Sequence, residues 1–326
     1  MTDYTVISSR ARLARNLSGV KFPSKITPDE VSVVERAAIA AAKKVFDAAF
    51  YRISDLDDSD VEYLVEGHFI SRTLLESPYA ALILSKDKKM SVMLQEEDHI
   101  RSQYILPGLA LQECFAQVKE YDQMLRGEAY LAYDKQLGYL TACPTNVGTG
   151  LRASVMMFLP ALSMAGGIGE LENELKSANL TIRGALGEGT KAEGYRYQIS
   201  NAISLGVTEE TILNRVESAA GRIREIEMKT LAAQYDRDRF RMEDSVLRSD
   251  AILRSARILT QDELETLIVY EKIGVALGLI DATNVDLDAL TLLCKSLSLK
   301  RLVGAGANID AQRAETVRKA ITQKEE

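Results

Sequence analysis

The sequence predicts an α+β fold, in which helices flank an antiparallel sheet and an all-helical C-terminal domain follows. Three observations support this prediction. Short apolar segments are joined in pairs by brief polar turns, which is typical of antiparallel strands. Segments of helical periodicity separate these pairs, so we expect helices to pack against the sheet. Helix formers dominate from about residue 208, and we place a domain boundary near residue 225, which gives domains 1–225 and 226–326.

The N-terminal domain is predicted to begin with a short strand and a capped helix. Thr27 and Glu30 form a capping-box pattern, Pro28 occupies the first turn, and apolar residues follow at helical spacing. Polar turns predict two hairpins. In chain order, the predicted elements are a strand over Val6–Arg12, a helix over Thr27–Phe50, a hairpin of Ala80–Ser85 with Met90–Leu94, a helix over Leu109–Leu125, a hairpin of Tyr130–Tyr133 with Tyr139–Cys143, a helix after Leu151, and strands between Leu180 and Ser200.

The C-terminal domain is predicted from two long helical patterns, Ile212–Leu231 and Met242–Ile258. Thr260 and Glu263 repeat the capping-box pattern and begin a third helix. Charges of both signs alternate across this region, which favours solvated helix faces over a surface for nucleic acid.

Composition excludes several classes of function. The 326 residues carry a net charge of −7, so the basic footprint of a generic nucleic-acid binder is missing. Three widely spaced cysteines without a CxxC pair predict neither a disulfide framework nor a zinc site. The N-terminus has no apolar signal segment, and no apolar run is long enough to span a membrane. We therefore expect a cytoplasmic protein that binds neither nucleic acid nor membrane.

Four polar segments carry the residues suited to chemistry. They are SSRAR (Ser8–Arg12), EEDHIR (Glu96–Arg101), CPTNVGTGLRASV (Cys143–Val155) and RGALGEG (Arg183–Gly189). Together they supply five arginines and, at Glu97 and Glu188, two glutamates in a glycine-marked setting. This combination suits phosphoryl transfer, where positioning and charge neutralisation do most of the catalysis.

The first two segments each have an ordinary alternative interpretation. Arg10 and Arg12 share one face of a strand, where they either bind an anion together or are exposed surface arginines. Glu97, His99 and Arg101 would share a face of an extended segment. They form either a site or a cross-strand ladder of ion pairs on a solvated sheet.

The other two segments are marked by glycines. Gly148 and Gly150 punctuate a loop, which predicts Arg152 in the first turn of a helix, where free backbone N–H groups favour phosphate. The alternative is an ordinary loop-to-helix junction. Glycines on both sides of Glu188 predict a mobile flap, and the alternative is a turn with a solvent-facing glutamate. The sequence GxxxxGK[ST] of a P-loop nucleotide site is missing.

The chemistry of these side chains narrows the choice of substrates. Arginine forks neutralise a nucleoside triphosphate bidentately and stay charged at any working pH. Carboxylates repel a triphosphate, so the glutamates require a cation, either magnesium or a guanidinium group. A guanidinium is a poor nucleophile while protonated, and a carboxylate that orients it and removes a proton would activate it.

The four segments, in this order, resemble the ATP:guanido phosphotransferase (phosphagen kinase) family. Within this family, the segments CPTNVGTGLRASV, EEDHIR and QISN (Gln198–Asn201) are similar to those of the bacterial protein arginine kinases, the McsB type. The resemblance is close over about residues 4 to 225 and looser to the C-terminus. It implies the catalytic fold of phosphagen kinases and glutamine synthetase, ATP with Mg²⁺ as cofactors, and transfer of phosphate to arginine residues of proteins.

The resemblance also implies roles for individual residues. Glu97 and Glu188 match the catalytic carboxylates, with Glu97 favoured as the base, and Cys143 matches an active-site cysteine that tunes the site. His68 matches a histidine that contacts the nucleotide, and the alternative is a structural histidine. The residues expected to bind ATP are Ser8, Ser9, Arg10, Arg12, His68, Arg101, Arg152, Ala153, Ser154, Val155, Met156, Arg183, Gly184, Ala185, Leu186 and Gly187.

The C-terminal domain resembles a module for dimerisation and phosphoarginine sensing. Asp310, Arg313 and Ala314 fit an RDxxRA phosphoarginine-pocket motif, but Ile309 stands where the motif has arginine. Two further departures from the family lie in the catalytic domain: Phe158 stands where a histidine usually follows the Cys143 segment, and Lys191 stands where the flap usually has an acidic residue. The implied partners are arginine-containing protein substrates, a second copy of the chain, a zinc-binding activator protein and an AAA+ protease chaperone. The implied biological role is marking of proteins for regulated proteolysis or a stress response.

Two rival functions stay open at this point. One is a kinase of free arginine or of another small guanidino compound. SSRAR begins at Ser8, which leaves no room for the N-terminal helical domain that closes over small substrates in related kinases, so we expect an open site and a protein substrate. The other rival is a non-catalytic phosphoarginine-binding adaptor, against which the intact set of arginines and glutamates argues.

Overall fold

The chain folds around one large antiparallel sheet. The computed structural model describes residues 3–184, 193–281, 285–304 and 308–322. The strands in these ranges are β1 Val6–Arg15, β2 Ala48–Arg52, β3 Ala81–Ser85, β4 Met90–Leu94, β5 Ile100–Pro107, β6 Tyr133–Asp134, β7 Gly138–Tyr139, β8 Leu151–Phe158, β9 Leu180–Gly184 and β10 Arg196–Asn201. Eight of them form a sheet in the order β2-β3-β4-β5-β1-β8-β10-β9, and β6 pairs with β7 in a separate hairpin. The predicted α+β class is confirmed.

Helices lie between the strands and make up the C-terminal third. They are α1 Pro28–Ala42, α2 Asp58–Glu66, α3 Leu111–Glu128, α4 Pro160–Met164, α5 Ile168–Ser177, α6 Glu209–Arg237, α7 Arg239–Ser255, α8 Gln261–Leu277, α9 Leu287–Leu293, α10 Ser296–Val303 and α11 Ile309–Thr322. Among the described residues, no helix combines the length and apolar character that a membrane crossing requires.

The central strands have one buried face and one polar face. Because side chains alternate along a strand, odd-numbered residues of β1 and β8 point to the same side. Ala11 and Leu13 of β1, with Ala153 and Val155 of β8, form a core with α3, α5 and α6. Even-numbered residues of both strands therefore lie on the opposite face, away from these helices.

The other half of the sheet is covered on both sides. Ile83 and Val92 pack against α1 and α3, whereas Leu82 and Met93 pack against Leu64 of α2 and its neighbours. All residues of β3 and β4 are buried. Helix α2 thus lies on the same side of the sheet as the polar face and forms one wall beside it.

Two sequence-based element assignments are wrong. The helix predicted over Thr27–Phe50 has the expected capping box at Thr27 but ends at Ala42, because residues 48–52 pair with β3 as an edge strand. The helix predicted after Leu151 is instead β8, which pairs with β1 on one side and β10 on the other. In both cases pairing with neighbouring strands outweighs the helix-forming tendency of the local residues.

The C-terminal helices pack onto the end of the sheet as well as onto each other. Residues of α8, including Val269 and Ile273, share an apolar cluster with Phe158 at the end of β8. Thr260 caps α8 by accepting a hydrogen bond from the backbone of Glu263, as its sequence suggests. Helix α6 runs without a break through residue 225, so the domain boundary placed there stays a prediction.

Candidate active site

Two arginines face each other directly across the centre of the polar face. Arg12 of β1 stands opposite Arg152 of β8, and Arg10 stands opposite Ser154. The Cβ atoms of directly opposed residues are about 5 Å apart, and like charges in such pairs are destabilising. Within the part of the chain that the structure describes, neither Arg10 nor Arg12 has an ion-pair partner. A strand pair that carries this arrangement at its centre is suited to binding an anion.

The register brings two more arginines to the same side of the sheet. Arg101 of β5 stands opposite Ala14 of β1, and Arg183 of β9 stands opposite Gln198 of β10. We call the five side chains Arg10, Arg12, Arg101, Arg152 and Arg183 the arginine face. Arg152 also donates a hydrogen bond of 3.1 Å from Nη2 to Ser200 Oγ.

Electrostatics show that these groups act on one another. Burial lowers the pKa of Arg10, and the positive charges of Arg12 and Arg152 lower it further. Burial likewise lowers the pKa of Arg101, and Arg12, Arg10 and Arg152 add to this effect. Burial also dominates the lowered pKa of Arg12; Glu97 opposes it, and Arg183 reinforces it. Guanidinium groups nevertheless stay protonated in proteins, so the cluster keeps its positive charge and favours an anion.

Two adjacent glutamates meet Arg101 in different ways. Glu96 is buried, pairs with Arg101 and accepts a hydrogen bond from Ser71 Oγ. The Oε2 atom of Glu97 lies 3.7 Å from Arg101 Nη1, and 42% of the Glu97 side chain is exposed. Glu97 is therefore a carboxylate at the edge of the arginine face that a substrate can reach. Sequence reasoning missed Glu96, whose position next to Glu97 gives no signal that it points inward.

A buried network fixes the loop that carries Glu97. Asp98 Oδ1 accepts hydrogen bonds from Asn16 Nδ2 and from the backbone N–H of Ala142, both 2.7 Å long. Asn16 Oδ1 accepts in turn from the backbone N–H of His99 at 2.8 Å. The network joins the end of β1, the loop before β5 and the segment that leads to Cys143. Asp98 and Asn16 were not among the predicted site residues, because their contact spans 82 positions of the chain.

His99 does not share a face with Glu97 and Arg101, contrary to the prediction from spacing. Its ring is buried, Nδ1 accepts from the backbone N–H of Leu17 at 3.0 Å, and Nε2 lies 2.6 Å from the carbonyl oxygen of Lys21. The extended segment begins only at Ile100, because the backbone bends over residues 95–99. His99 is thus a structural residue.

Cys143 lies half-buried at the end of this network. Its Sγ atom is 3.1 Å from Thr145 Oγ1. A Cys143 thiolate would be near enough to Arg12 and Arg101 to oppose slightly the burial that lowers their pKa. The following loop is held tightly, since Gly148 has φ 113° and a Cβ atom there would lie 2.2 Å from the carbonyl oxygen of Ser204.

His68 lies at the edge of the arginine face beneath α2. Its backbone has φ 58°, and its carbonyl oxygen accepts a 2.7 Å hydrogen bond from Gln103 Nε2. Gln103 stands opposite Arg12 in the sheet. Desolvation by its neighbours lowers the pKa of His68, and the positive charges of Arg10, Lys295 and Arg196 lower it further, so the neutral ring is favoured at pH 7, while the side chain stays exposed to solvent. A neutral ring there is available to contact a nucleotide without adding charge.

Several predicted ATP-binding residues point away from this face. Ser9 is buried on the helical side, where Oγ donates to the carbonyl of Gly108 and accepts from the N–H of Ala110. Ala153 and Val155 lie in the core, because they alternate with Arg152 and Ser154 along β8. Predicted residues on the arginine side are Ser8, Ser154 and Met156. Gly184 ends β9, and Ala185, Leu186, Gly187, Glu188 and Lys191 lie outside the described residues.

The predicted phosphoarginine pocket is not an open pocket in this structure. Arg313 is fully buried and donates to the carbonyls of Leu259 and Cys294, to Ser296 Oγ and to Asp310. Ala314 is also buried, and only Asp310 is substantially exposed. Four hydrogen bonds within the protein thus hold the Arg313 guanidinium, and its role in binding phosphoarginine stays a prediction.

Comparisons with known proteins agree with this geometry. Residues 31–230 match the model of the ATP:guanido phosphotransferase C-terminal catalytic domain, and residues 239–326 match that of the protein-arginine kinase McsB C-terminal domain. The chain belongs to the ATP:guanido phosphotransferase family. A protein-arginine kinase of Caldanaerobacter subterraneus subsp. tengcongensis is 37% identical over 98% of both chains. One of Bacillus subtilis is 35% identical over 97% of this chain and 90% of its own length.

Solved structures of this family share the fold. A lombricine kinase crystal structure aligns with a TM-score of 0.63 and 26% identity, over 72% of this chain and 69% of that one. A substrate-free duplicated taurocyamine kinase from Schistosoma mansoni aligns with a TM-score of 0.60 and 27% identity, over 68% of this chain and 33% of its own. The full-length relatives place the chain in the protein-arginine kinase branch of the ATP:guanido phosphotransferase family.

Proposed function

We propose that the chain transfers the γ-phosphate of ATP to the guanidino group of arginine residues in proteins. The observation that carries this proposal is the arginine face, with the exposed carboxylate of Glu97 at its edge. The face suits a polyanionic donor, and the carboxylate suits a cationic acceptor. The names of the full-length relatives support a protein as the substrate.

ATP would bind with its phosphates against the arginine face. Arg12 and Arg152, which repel each other across β1 and β8, would share phosphate oxygens and so lose their repulsion. His68 would contact the nucleotide with a neutral ring. Stabilisation of the charge on the transferring phosphoryl group by fixed guanidinium groups is the main catalytic contribution expected from such a site.

Magnesium enters this proposal as part of the substrate, ATP·Mg²⁺. Over the described ranges, no group of three or more His, Cys, Asp or Glu side chains is placed to hold a metal ion. Magnesium is commonly bound through substrate phosphates, water and one or two carboxylates, so a separate cage of protein ligands is not required. Its contribution would be to neutralise charge on the phosphates.

The acceptor guanidinium would be gripped and deprotonated by carboxylates. We assign the base to Glu97, which takes one guanidino proton while the nitrogen forms a bond to the γ-phosphorus and the bond to the leaving oxygen of ADP breaks. We assign Glu188, by resemblance, to the other side of the guanidinium. Cys143 is proposed to tune the electrostatics of the site and not to act as a covalent nucleophile.

Replacement of Glu97 tests this function. We expect Glu97→Gln to lower phosphoarginine formation by at least about 10²-fold, the usual contribution of a general base, while ATP binding stays close to wild type. The products would be followed by mass spectrometry under non-acidic conditions, and ATP binding by calorimetric titration. Glu120→Gln, an exposed glutamate on α3, is the matched control. A fully active Glu97→Gln enzyme would contradict the assignment.

The choice of acceptor is tested in the same assay. Wild-type enzyme would be offered an unfolded arginine-rich protein and, separately, free arginine. We expect transfer to the protein; faster transfer to free arginine would favour the small-substrate kinase, an alternative that the similarity to lombricine kinase keeps relevant. Absence of ATP turnover with either acceptor would favour the phosphoarginine-binding adaptor.

The cellular setting is proposed from the same resemblance. We propose a cytoplasmic homodimer assembled through the C-terminal helices, a zinc-binding activator and an AAA+ protease chaperone as partners, and marking of proteins for regulated proteolysis or a stress response as the purpose. Mass measurement of the protein in solution tests the dimer, since a monomer at all concentrations would contradict it.

A further inference from the structure

The C-terminal helices touch the catalytic sheet close to the candidate nucleotide site. Helix α8 packs on Phe158 through an apolar cluster, and the buried Lys272 places its Nζ 4.6 Å from the centre of the Phe158 ring. Asp288 of α9 accepts a 2.5 Å hydrogen bond from Lys272 and lies 3.9 Å from Arg196 of β10. These contacts dock the C-terminal region on the ends of β8 and β10.

A second contact reaches α2, the wall beside the arginine face. Arg301 of α10 forms an ion pair with Asp60 of α2, and its Cζ atom lies 4.5 Å from the centre of the Tyr63 ring. A guanidinium over an aromatic face within about 6 Å is attracted to it. One side chain of the C-terminal region therefore holds two residues on consecutive turns of α2.

The held part of α2 leads directly into His68. The Tyr63 ring packs on the Phe69 ring, with centroids 6.1 Å apart. The Phe69 ring folds back over Gly67, where an added Cβ atom would lie 2.3 Å from Phe69 Cε2. His68, between them, has a left-handed backbone and is tied to the sheet by Gln103. A shift of Tyr63 would thus be passed through Phe69 to His68.

From these contacts we propose that Arg301 is a positioning residue for the nucleotide site, acting on His68 through Asp60, Tyr63 and Phe69. This inference rests on the proposed ATP-dependent function. It assigns the C-terminal helices an indirect part in ATP binding in addition to their proposed part in dimerisation. The guanidinium of Arg301 belongs to α10, whereas the carboxylate of Asp60 and the ring of Tyr63 belong to α2. The position of His68 therefore depends on contacts between the two parts of the chain.

The size of the effect follows from the exposure of the pair. Arg301 and Asp60 side chains are 41% and 36% exposed, so water screens their attraction. An exposed ion pair together with an exposed cation–π contact supports a change of about two- to fivefold in affinity. We expect this change in the Kd and KM for ATP, with little change in kcat, because His68 is placed to contact nucleotide and not the reacting guanidinium.

A double-mutant cycle tests the inference. Arg301→Gln, Asp60→Asn and the double variant would be compared with wild type in Kd for ATP, measured by calorimetric titration, and in KM for ATP and kcat. Arg248→Gln on α7 is the control, because Arg248 is exposed and paired only loosely with Asp244 at 4.0 Å. We expect each single variant to weaken ATP binding about two- to fivefold. The double variant should weaken it no further than a single variant does, and the control should bind ATP as the wild type does.

The outcomes separate this inference from the proposed function. Unchanged Kd for ATP in Arg301→Gln, or fully additive effects in the double variant, would overturn the positioning role. A parallel fall in kcat, ATP affinity and melting temperature would also overturn it, because that pattern marks a merely structural contact. The titration needs no phosphate transfer, so loss of the proposed kinase activity would be detected independently in the wild-type assay.

Discussion

Two substitutions of Asp98 should distinguish the contribution of its hydrogen bonds to stability from that of its negative charge. Asp98 Oδ1 accepts two hydrogen bonds of 2.7 Å, one from the buried Asn16 Nδ2 and one from the backbone N–H of Ala142. Hydrogen bonds to a charged group contribute about 1.5–3 kcal/mol each, so loss of the two in Asp98→Ala should destabilise the fold by about 3–6 kcal/mol. Asp98→Asn keeps an oxygen acceptor at this position. We expect Asp98→Asn to be at least about 2 kcal/mol more stable than Asp98→Ala. Asparagine keeps the acceptor and also avoids the cost of burying a negative charge, the cost that raises the pKa of Asp98.

Catalysis should respond in the same order. Without the network, the Glu97 loop and the Cys143 segment lose their shared anchor, and a misplacement of about 1 Å costs on the order of 10² in rate. Urea unfolding at pH 7 gives the stabilities, and kcat at saturating ATP, well below the unfolding transition, gives the activities. Equal stability and equal kcat for Asp98→Ala and Asp98→Asn would refute the positioning role that we assign to this network.

Two further predictions concern the C-terminal helices. Arg313→Met should destabilise the protein by about 3–5 kcal/mol in urea unfolding, because it leaves the buried acceptors around the guanidinium unpaired; a stability within about 1 kcal/mol of wild type would instead favour the ligand-binding role predicted from sequence. Burial, with help from Asp250, raises the pKa of Glu271 to about 7, and Arg254 opposes the shift. The folded state therefore binds the Glu271 proton more tightly than the unfolded state does. The stability that this protonation contributes to the fold is present at pH 4–5 and is lost as pH rises through about 7. Glu271→Gln should match wild type near pH 5 and exceed it at pH 8, and parallel urea midpoints across that range would contradict the assignment.

Prediction from sequence succeeded best where a pattern is local. The cap at Thr27 and the hairpin of β3 with β4 depend on neighbouring residues, and both are present in the structure. Arg152 was placed in the wrong element, because the glycines before it mark a turn of the chain without indicating whether a helix or a strand begins after it. The alternation of Leu151, Ala153 and Val155 with polar or longer side chains carries the strand signal, although alanine and methionine also favour helices.

Long-range contacts could not be predicted in the same way. Glu96 and Glu97 are adjacent and chemically identical, and the direction of each is set by a bend that begins at Gln95, whose φ is 62°. Asp98 finds Asn16 only after β1 and β5 have paired. The sequence contains the residues of this network but not the register that joins them.

The antiparallel register also explains how arginines far apart in sequence converge without a dedicated loop. Only every second residue of a central strand points toward the helices and forms the core, and in β1 and β8 these residues are apolar. The other alternate positions are then free to carry charge, and pairing sets Arg12 against Arg152. The apolar core behind them compensates for their repulsion, and a bound anion would relieve it. Because only the folded sheet brings these guanidinium groups together, an anion that binds them would stabilise the fold by mass action.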